Sequence, residues 1–376
     1  MDNIFRYTVP KITPWLSRHK AILIIGARQV GKTTMLSSMI TDMENVLWLN
    51  ADESTTRDKL AKQDIESLKL IVGNYKTIII DEVQRIANAG LLLKILVDNF
   101  KDLKIIATGS SSLDISENIF EPLTGRHISF YLFPFTLAEL YDGKSPFEIE
   151  KYLPFHLIYG SYPDVFNNQE IAETLLKNLT NQYLYKDVLI WKDIRKPELL
   201  DKLLKLLSFQ VGSEVSINEL ANKLHVKSET VETYIDLLEK SFVIFRLNAY
   251  STNARKEVTK MSKIYFWDNG IRNAVIGNYA SLPLRNDIGQ LWENLMIAER
   301  MKMNYTMDLP IKSYFWRNYN QSEVDYIEER DGKLYAYEMK WNIRTKNRVS
   351  QAFLNMYSHA NADVIHPQNF TEFCYL

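Results

Sequence analysis

Short, wholly apolar runs alternate along the chain with stretches whose apolar residues recur at helical spacing. In the first third these are AILII (21–25), TTMLSSMI (33–40), NVLWLN (45–50), KTIIID (76–81), LLLKILVDNF (91–100) and KIIATGS (104–110). A strand apolar on both sides must be covered on both faces. Such strands, separated by amphipathic helices, predict an α/β core over 1–133 with a parallel sheet between helical layers. From Pro134 to about Trp191 helical spacing takes over, broken by YGSYPD at 159–164, which predicts a helical lid and connector over 134–199.

Residues 200–250 read helix, short helix, turn, helix, strand: ELLDKLLKLLSFQVG, SINELANKLHV, KSETVETYIDLLEKS, FVIFRLNAY. Ser216 and Ser228 suit helix N-caps, and the order is the outline of a winged helix-turn-helix. A basic link, STNARKEVTKMSK, opens a last region over 251–376. It contains the strand KIYFWDNG, the helix LWENLMIAERMKM, the strands SYFWRN, EVDYIEE and LYAYEMKW, and a helix around VSQAFLNMY.

A chain of 376 residues exceeds what one core usually serves, which fits several domains. With 45 Lys and Arg against 46 Asp and Glu, overall charge gives no pull toward nucleic acid or an anionic membrane, so such contacts must come from local patches. A single cysteine, Cys374, rules out an internal disulfide framework. No signal-like start and no apolar run of about 20 residues is present, so a cytoplasmic protein without a membrane partner is expected.

The segment Gly26-Ala27-Arg28-Gln29-Val30-Gly31-Lys32-Thr33 fills GxxxxGK[ST] between a predicted strand and a predicted helix. Its glycines let backbone N–H groups turn toward phosphate at the positive end of the helix that follows, where Gly26, Gln29, Val30, Gly31 and Thr34 line the nucleotide. Lys32 reaches the β and γ phosphates of ATP, and the Thr33 hydroxyl takes a Mg²⁺ position. Asp81 and Glu82 close the apolar strand IIIDE, Asp81 serving the metal and Glu82 orienting or deprotonating water. Ser110 lies where a polar group senses the γ-phosphate, or else caps a loop turn. Arg126 in LTGRH is a candidate for stabilising charge on the transferred phosphoryl, in its own subunit or a neighbour's, against the plainer reading of a surface arginine.

A second constellation sits in EVDYIEERDGKLYAYEMKW, Glu323–Trp341. A hairpin turn at Asp331-Gly332 would bring Asp325 and Glu338 to one Mg²⁺, with Lys340 on the same strand face as Glu338 and Glu293 of WENL as a fourth group. Carboxylates that hold a metal and a lysine that orients water are what phosphodiester hydrolysis requires. ExK also arises on ordinary exposed sheets, where Glu and Lys pair across strands.

Two basic stretches are candidates for nucleic acid, the link with Arg255, Lys256, Lys260 and Lys263 and the run Lys340, Arg344, Lys346 and Arg348 with Trp341 as a stacking face, although solvated loops explain both. The helix expected to read a groove carries Glu229, Glu232, Asp236 and Glu239, which opposes phosphate and favours packing against protein. The six histidines are scattered without metal-ligand spacing.

Together, IIGARQVGKTT, IIIDEVQR, IATGSSS and LTGRHISFYLFPFTLAEL resemble AAA+-type P-loop ATP-binding proteins of bacteria and archaea that carry a C-terminal domain of unknown function. YGSYPDV, YKDV, GQLWENL and SEVDYI extend the resemblance over nearly the whole chain. One departure is Ser161, where relatives often have a second glycine. The C-terminal pattern resembles the PD-(D/E)xK nuclease fold, with Asp325 as the first acid, Glu338-Met339-Lys340 as ExK, and Val324 in place of the usual proline. The resemblance implies a P-loop NTPase sheet with a helical lid, then a winged helix-turn-helix and a PD-(D/E)xK-like α/β domain. Such proteins share a nucleotide fold, with the cellular task generally unassigned; from the motifs themselves the expectation is Mg²⁺-dependent ATP hydrolysis coupled to DNA or RNA, or a switch that acts on a protein partner or a second copy.

Overall fold

The computed structural model describes residues 4–41, 43–110, 121–181, 197–251, 262–342 and 348–374. They fall into two compact units, one of Asp2–Pro134 with Lys240–Phe242, the other of Phe135–Glu239 with Val243–Leu376.

The first unit is built on the strands β1 (Ala21–Ile25), β2 (Val46–Asn50), β3 (Thr77–Asp81), β4 (Lys104–Gly109) and β5 (His127–Tyr131). They form one sheet in the order β2-β3-β4-β1-β5, every pairing parallel. Ile22 to Ile25, Ile78 to Ile80, and Ile105 and Ile106 are all buried, so the continuous apolar runs became strands covered on both faces. Helix α1 (Lys32–Met39) follows β1, and α2 (Ala89–Asn99) turns its buried Leu92, Leu93 and Leu96 to the core before β4. Phe242 adopts a left-handed backbone (φ 57°) and sets its ring 6.0 Å from those of Tyr131 and of Phe133.

The second unit carries a seven-stranded sheet in the order β12-β11-β10-β9-β7-β8-β6. Its strands are β6 (Glu214–Val215), β7 (Ile244–Ala249), β8 (Ser262–Phe266), β9 (Lys312–Arg317), β10 (Glu323–Arg330), β11 (Lys333–Met339) and β12 (Asn361–Ile365). Helices α3 (Pro197–Phe209), α4 (Ile217–Leu224) and α5 (Ser228–Lys240) precede the β7–β8 pair, and α6 (Asn269–Ile276) and α7 (Ile288–Met307) follow it. The Ser216 hydroxyl accepts from the Glu219 N–H and starts α4 as expected. The β10–β11 hairpin turns at Asp331 and Gly332, both with positive φ (51° and 71°), which twists the turn to match its strands.

Two expectations change here. The segment over 134–199 reads from its sequence as a helical lid and connector; its described residues from Phe135 group with the second unit. The cause lies in YGSYPD. Gly160 has φ +71°, and a Cβ there would lie 1.9 Å from Asp268 Oδ1, so the chain passes against the Asp268 carboxylate only as glycine. The next residue, Ser161, has ordinary backbone geometry; its N–H donates to Asp268 Oδ2 at 2.7 Å, and its hydroxyl meets His156 Nδ1 at 2.9 Å. Asn273 of α6 donates to the carbonyls of Leu157 and Ile158, and the Leu137 N–H donates to the buried Glu299 of α7. Second, the break expected near residue 250 falls inside one sheet, because β7 pairs in parallel with β9 through Asn248↔Tyr314 and Ala249↔Phe315.

Candidate functional site

The loop after β1 is shaped by close packing. A Cβ on Gly26 would fall 2.0 Å from the carbonyl oxygen of Leu132, which itself donates its N–H to Ile25 at the end of β1. Gln29 and Gly31 take positive φ (60° and 91°), curling the backbone before α1 begins at Lys32. Arg6, absent from the sequence-based expectations, pins this loop by donating to the carbonyls of Val30 (2.8 Å) and Phe133 (2.7 Å). Val30 is buried, whereas Thr33 and Thr34 lie exposed in the first turn of α1, where free N–H groups favour an anion.

The Lys32 side chain is buried and its Nζ donates to the carbonyls of Gly26 and Ala27, each at 2.8 Å. These acceptors are neutral, so phosphate oxygens would compete for the ammonium with favourable charge. Thr33 Oγ1 donates to Asp81 Oδ2 at 3.1 Å, joining the start of α1 to the end of β3. A hydroxyl beside a single carboxylate suits Mg²⁺, which keeps several waters and completes its shell with phosphate oxygens. The residues present therefore fit the ion, and Thr33 and Asp81 would hold it.

Asp81 Oδ1 accepts from the Thr108 hydroxyl, whose oxygen in turn accepts the Glu82 N–H at 3.0 Å. Glu82 sits in a left-handed conformation (φ 55°) that turns it off the strand. Its carboxylate accepts from Gln84 Nε2, which also donates to Ser110 Oγ at 2.8 Å, while Gln84 Oε1 is buried without a partner. Lys32, Thr33, Asp81, Glu82 and Ser110 thus share the C-terminal end of the parallel sheet. Thr108 and Gln84 were missed; the only signal was a polar residue ending an apolar strand and a glutamine two places beyond an acidic pair.

Arg126 is not brought there. It immediately precedes β5, and its carbonyl accepts from the Ala21 N–H at the start of β1, the opposite end of the sheet. Five strand residues, about 16 Å of rise, separate that end from the phosphate loop of the same chain. Its guanidinium is held by Asp98 of α2 at 2.7 Å, which lowers the Asp98 pKa. A role for Arg126 in its own site is therefore withdrawn.

In the second unit the four C-terminal residues do converge. Asp325 and Glu338 lie on neighbouring strands one step beyond the Tyr326↔Tyr337 pair. Lys340 Nζ is 2.8 Å from Glu338 Oε2 and 3.5 Å from Asp325 Oδ2, and the Met339 N–H donates to Asp325 Oδ2 at 2.8 Å. Glu293 arrives on α7, aimed by its neighbours. Trp292 Nε1 donates to the Ile365 carbonyl, and Asn294 both accepts from the Phe266 N–H and donates to the Phe266 carbonyl. The Tyr265 hydroxyl of β8 donates to Glu293 Oε1 at 2.7 Å. Burial, with the nearby Asp325 charge, pushes Glu338 up to about 8, and burial likewise pushes Glu293 up to about 7. A cavity of about 770 Å³ opens beside the cluster, lined by residues including Gly212, Gly289, Glu293, Lys340 and Trp341.

The metal expected on these carboxylates does not fit. Among the described residues no group of three or more His, Cys, Asp or Glu side chains is placed to hold a metal ion. Lys263, expected in a solvated basic link, is instead fully buried on β8 among Glu293, Glu323 and Asp325. Arg255, Lys256, Lys260, Arg344 and Lys346 lie outside the described residues. Arg348 is exposed, and Trp341 packs edge-to-face on Trp292 with centroids 5.5 Å apart. In α5, Asp236 and Glu239 both pair with Arg246 of β7, so part of that helix's negative charge serves packing, while Glu229 and Glu232 are exposed. Among the described residues no helix is long and apolar enough to cross a membrane.

Comparison with known proteins divides the chain in three. Residues 18–141 match the family described as an AAA domain, 150–282 a domain of unknown function, DUF8612, and 288–372 another, DUF4143. An uncharacterized protein of Methanocaldococcus jannaschii is 24% identical over 360 residues, spanning 89% of this chain and 78% of its own. One of Haemophilus influenzae is 22% identical over 355 residues, spanning 89% and 86%. Among solved structures, the Walker-type ATPase of Pyrococcus abyssi is similar over 72% of this chain and 94% of its own, at 16% identity and a TM-score of 0.48. The AAA match and the parallel sheet with its phosphate loop support a P-loop NTPase fold for the N-terminal part of the chain.

Proposed function

We propose that the protein binds Mg²⁺-ATP at Lys32, Thr33 and Asp81, hydrolyses it with Glu82, and uses the cycle to control how the second unit engages the phosphate backbone of DNA or RNA. The observation that carries the ATPase reading is the convergence of Lys32, Thr33, Asp81 and Glu82 at one end of the sheet. Lys32 exchanges its carbonyl partners for the β and γ phosphates. Thr33 and Asp81 would hold the Mg²⁺, which would supply neutralisation of charge on the phosphate oxygens. Glu82 aligns a water with the γ-phosphorus; the new P–O bond forms as the bond to the leaving β-phosphate oxygen breaks, giving ADP and phosphate. Gln84, bridging Glu82 and Ser110, ties the orientation of that carboxylate to a group placed to meet the γ-phosphate.

Engagement of nucleic acid is supported by the convergence of Asp325, Glu338 and Lys340 beside an open cavity. A switch acting on a protein partner is the second reading, supported by the pairing of α5 acids with Arg246 rather than by any basic face on that helix. The test is Glu82→Gln in the full chain. ATP stays bound while turnover falls by on the order of 10²–10⁴-fold, and single- or double-stranded DNA or RNA raises wild-type turnover. Turnover at the native rate in Glu82→Gln would remove Glu82 from its role. If nucleic acid neither binds at low salt nor changes turnover, the protein-partner switch takes precedence.

A further inference from the structure

Lys263 is the feature of the second unit that the proposed function leaves unused. It is the second residue of β8, and its side chain is only 1% exposed. Its Nζ is in contact with Glu323 Oε1, 3.3 Å from Glu293 Oε1 and 4.0 Å from Asp325 Oδ1. The stem lies near Phe315, with Nζ 5.5 Å from the ring centroid. An ammonium this deeply buried would ordinarily lose its proton, yet the surrounding carboxylates raise its pKa and keep it charged.

On the other side, Lys340 Nζ reaches Glu338 Oε2 and Asp325 Oδ2. Every acid of the cluster therefore already faces a donor: Glu293 has Lys263 and Tyr265, Glu323 has Lys263 and Arg317, Asp325 has Lys263, Lys340 and the Met339 N–H, and Glu338 has Lys340. A Mg²⁺ or Mn²⁺ ion needs several oxygens about 2.0–2.2 Å away. Here it would sit within a few ångströms of a buried ammonium held by carboxylates, and like charges at that separation inside a protein repel strongly.

We propose that Lys263 is a built-in cation whose fixed charge, set among Glu293, Glu323 and Asp325, keeps a divalent metal off the carboxylates Glu293, Asp325 and Glu338, so that the second unit carries out no metal-dependent phosphodiester cleavage. Lys263 pairs with the acids from β8, and Lys340, 38% exposed and lining the cavity, pairs with Asp325 and Glu338. The inference does not depend on the ATPase reading, because its test needs no nucleotide.

The experiment is a Mn²⁺ titration of the nucleotide-free full chain, with free Mn²⁺ followed by electron paramagnetic resonance. Wild type, Glu338→Ala, Lys263→Met and the double variant are compared. Wild type and Glu338→Ala should take up Mn²⁺ identically, which also subtracts any ion at the phosphate loop. Lys263→Met should gain one site, at least tenfold tighter than any wild-type binding at the cluster and lost again in the double variant. Uptake by wild type that Glu338→Ala abolishes would overturn the proposal, as would Glu338-dependent nicking of plasmid DNA by wild type with Mn²⁺. A folded Lys263→Met chain, checked by near-ultraviolet circular dichroism, that gains no site would also overturn it. Should Lys263→Met not fold, Lys263→Gln replaces it, and the comparison of wild type with Glu338→Ala still decides whether the native cluster takes metal.

Discussion

The phosphate loop and the carboxylate cluster of the second unit draw on the same residue types, a lysine and acids at strand ends, and set them differently. Lys32 Nζ donates to the neutral carbonyls of Gly26 and Ala27, among its contacts, and Asp81 is met by the hydroxyls of Thr33 and Thr108. Those contacts are exchangeable: an incoming anion offers Lys32 a better partner, and a cation offers one to Asp81. Lys263 and Lys340 are already matched to carboxylates. Separating a buried ion pair leaves an uncompensated charge, so that arrangement resists ligand exchange. The difference teaches that the partner of a lysine says more about its role than the motif it belongs to.

The largest effect that sharpens this contrast is expected from Lys32→Ala. Losing a charge-assisted contact to phosphate costs about 2–3 kcal/mol, on the order of 10²-fold in affinity, to be measured by calorimetry with a non-hydrolysable ATP analogue. Unchanged affinity would mean that Lys32 stays on its carbonyls and the two lysines are alike. A smaller effect comes from Gln84→Ala, which frees the Glu82 carboxylate and the Ser110 hydroxyl from their shared donor. Turnover should fall roughly tenfold with ATP affinity unchanged; a change in affinity alone would make Gln84 a scaffold of the loop.

The smallest effect is a pH dependence confined to the second unit. Burial lifts Glu338 to about 8 and Glu293 to about 7, so the folded unit keeps protons that the unfolded chain releases near its ordinary carboxylate pKa. The folded state binds more protons across that window, and stability is therefore full at acidic pH and falls as pH rises through 7 and 8. Glu338→Gln should flatten the decline of Tm between about pH 5 and pH 8. An equally steep decline in the variant would place its origin elsewhere.

The first unit was legible in the sequence because its signals are local. Each of β1, β3 and β4 is one apolar run, and the phosphate loop is contiguous. The Asp325–Glu338–Lys340 convergence was legible too, since a two-residue turn fixes the register between β10 and β11. Lys263 was not. It follows a basic stretch and looks solvated, and its burial is decided by Glu293, Glu323 and Asp325, all distant in sequence. Arg126 misled because position along the chain does not say at which end of a strand a loop residue emerges. The placement of 135–179 was hidden for a similar reason: the partner of Gly160 and Ser161 is Asp268, some hundred residues later, |i−j| = 107 for Ser161.

The continuous sheet of the second unit bears on how such chains are inherited. The two domains of unknown function meet between residues 282 and 288, yet β7 and β8 of one are edge-joined to β9 of the other. Recombination at that junction would leave either half with a bare strand edge, a template for aggregation that natural sheets avoid. Across descent, the helices before β7 and the strands after α7 are therefore expected to travel as one heritable block, with new combinations arising on its flanks.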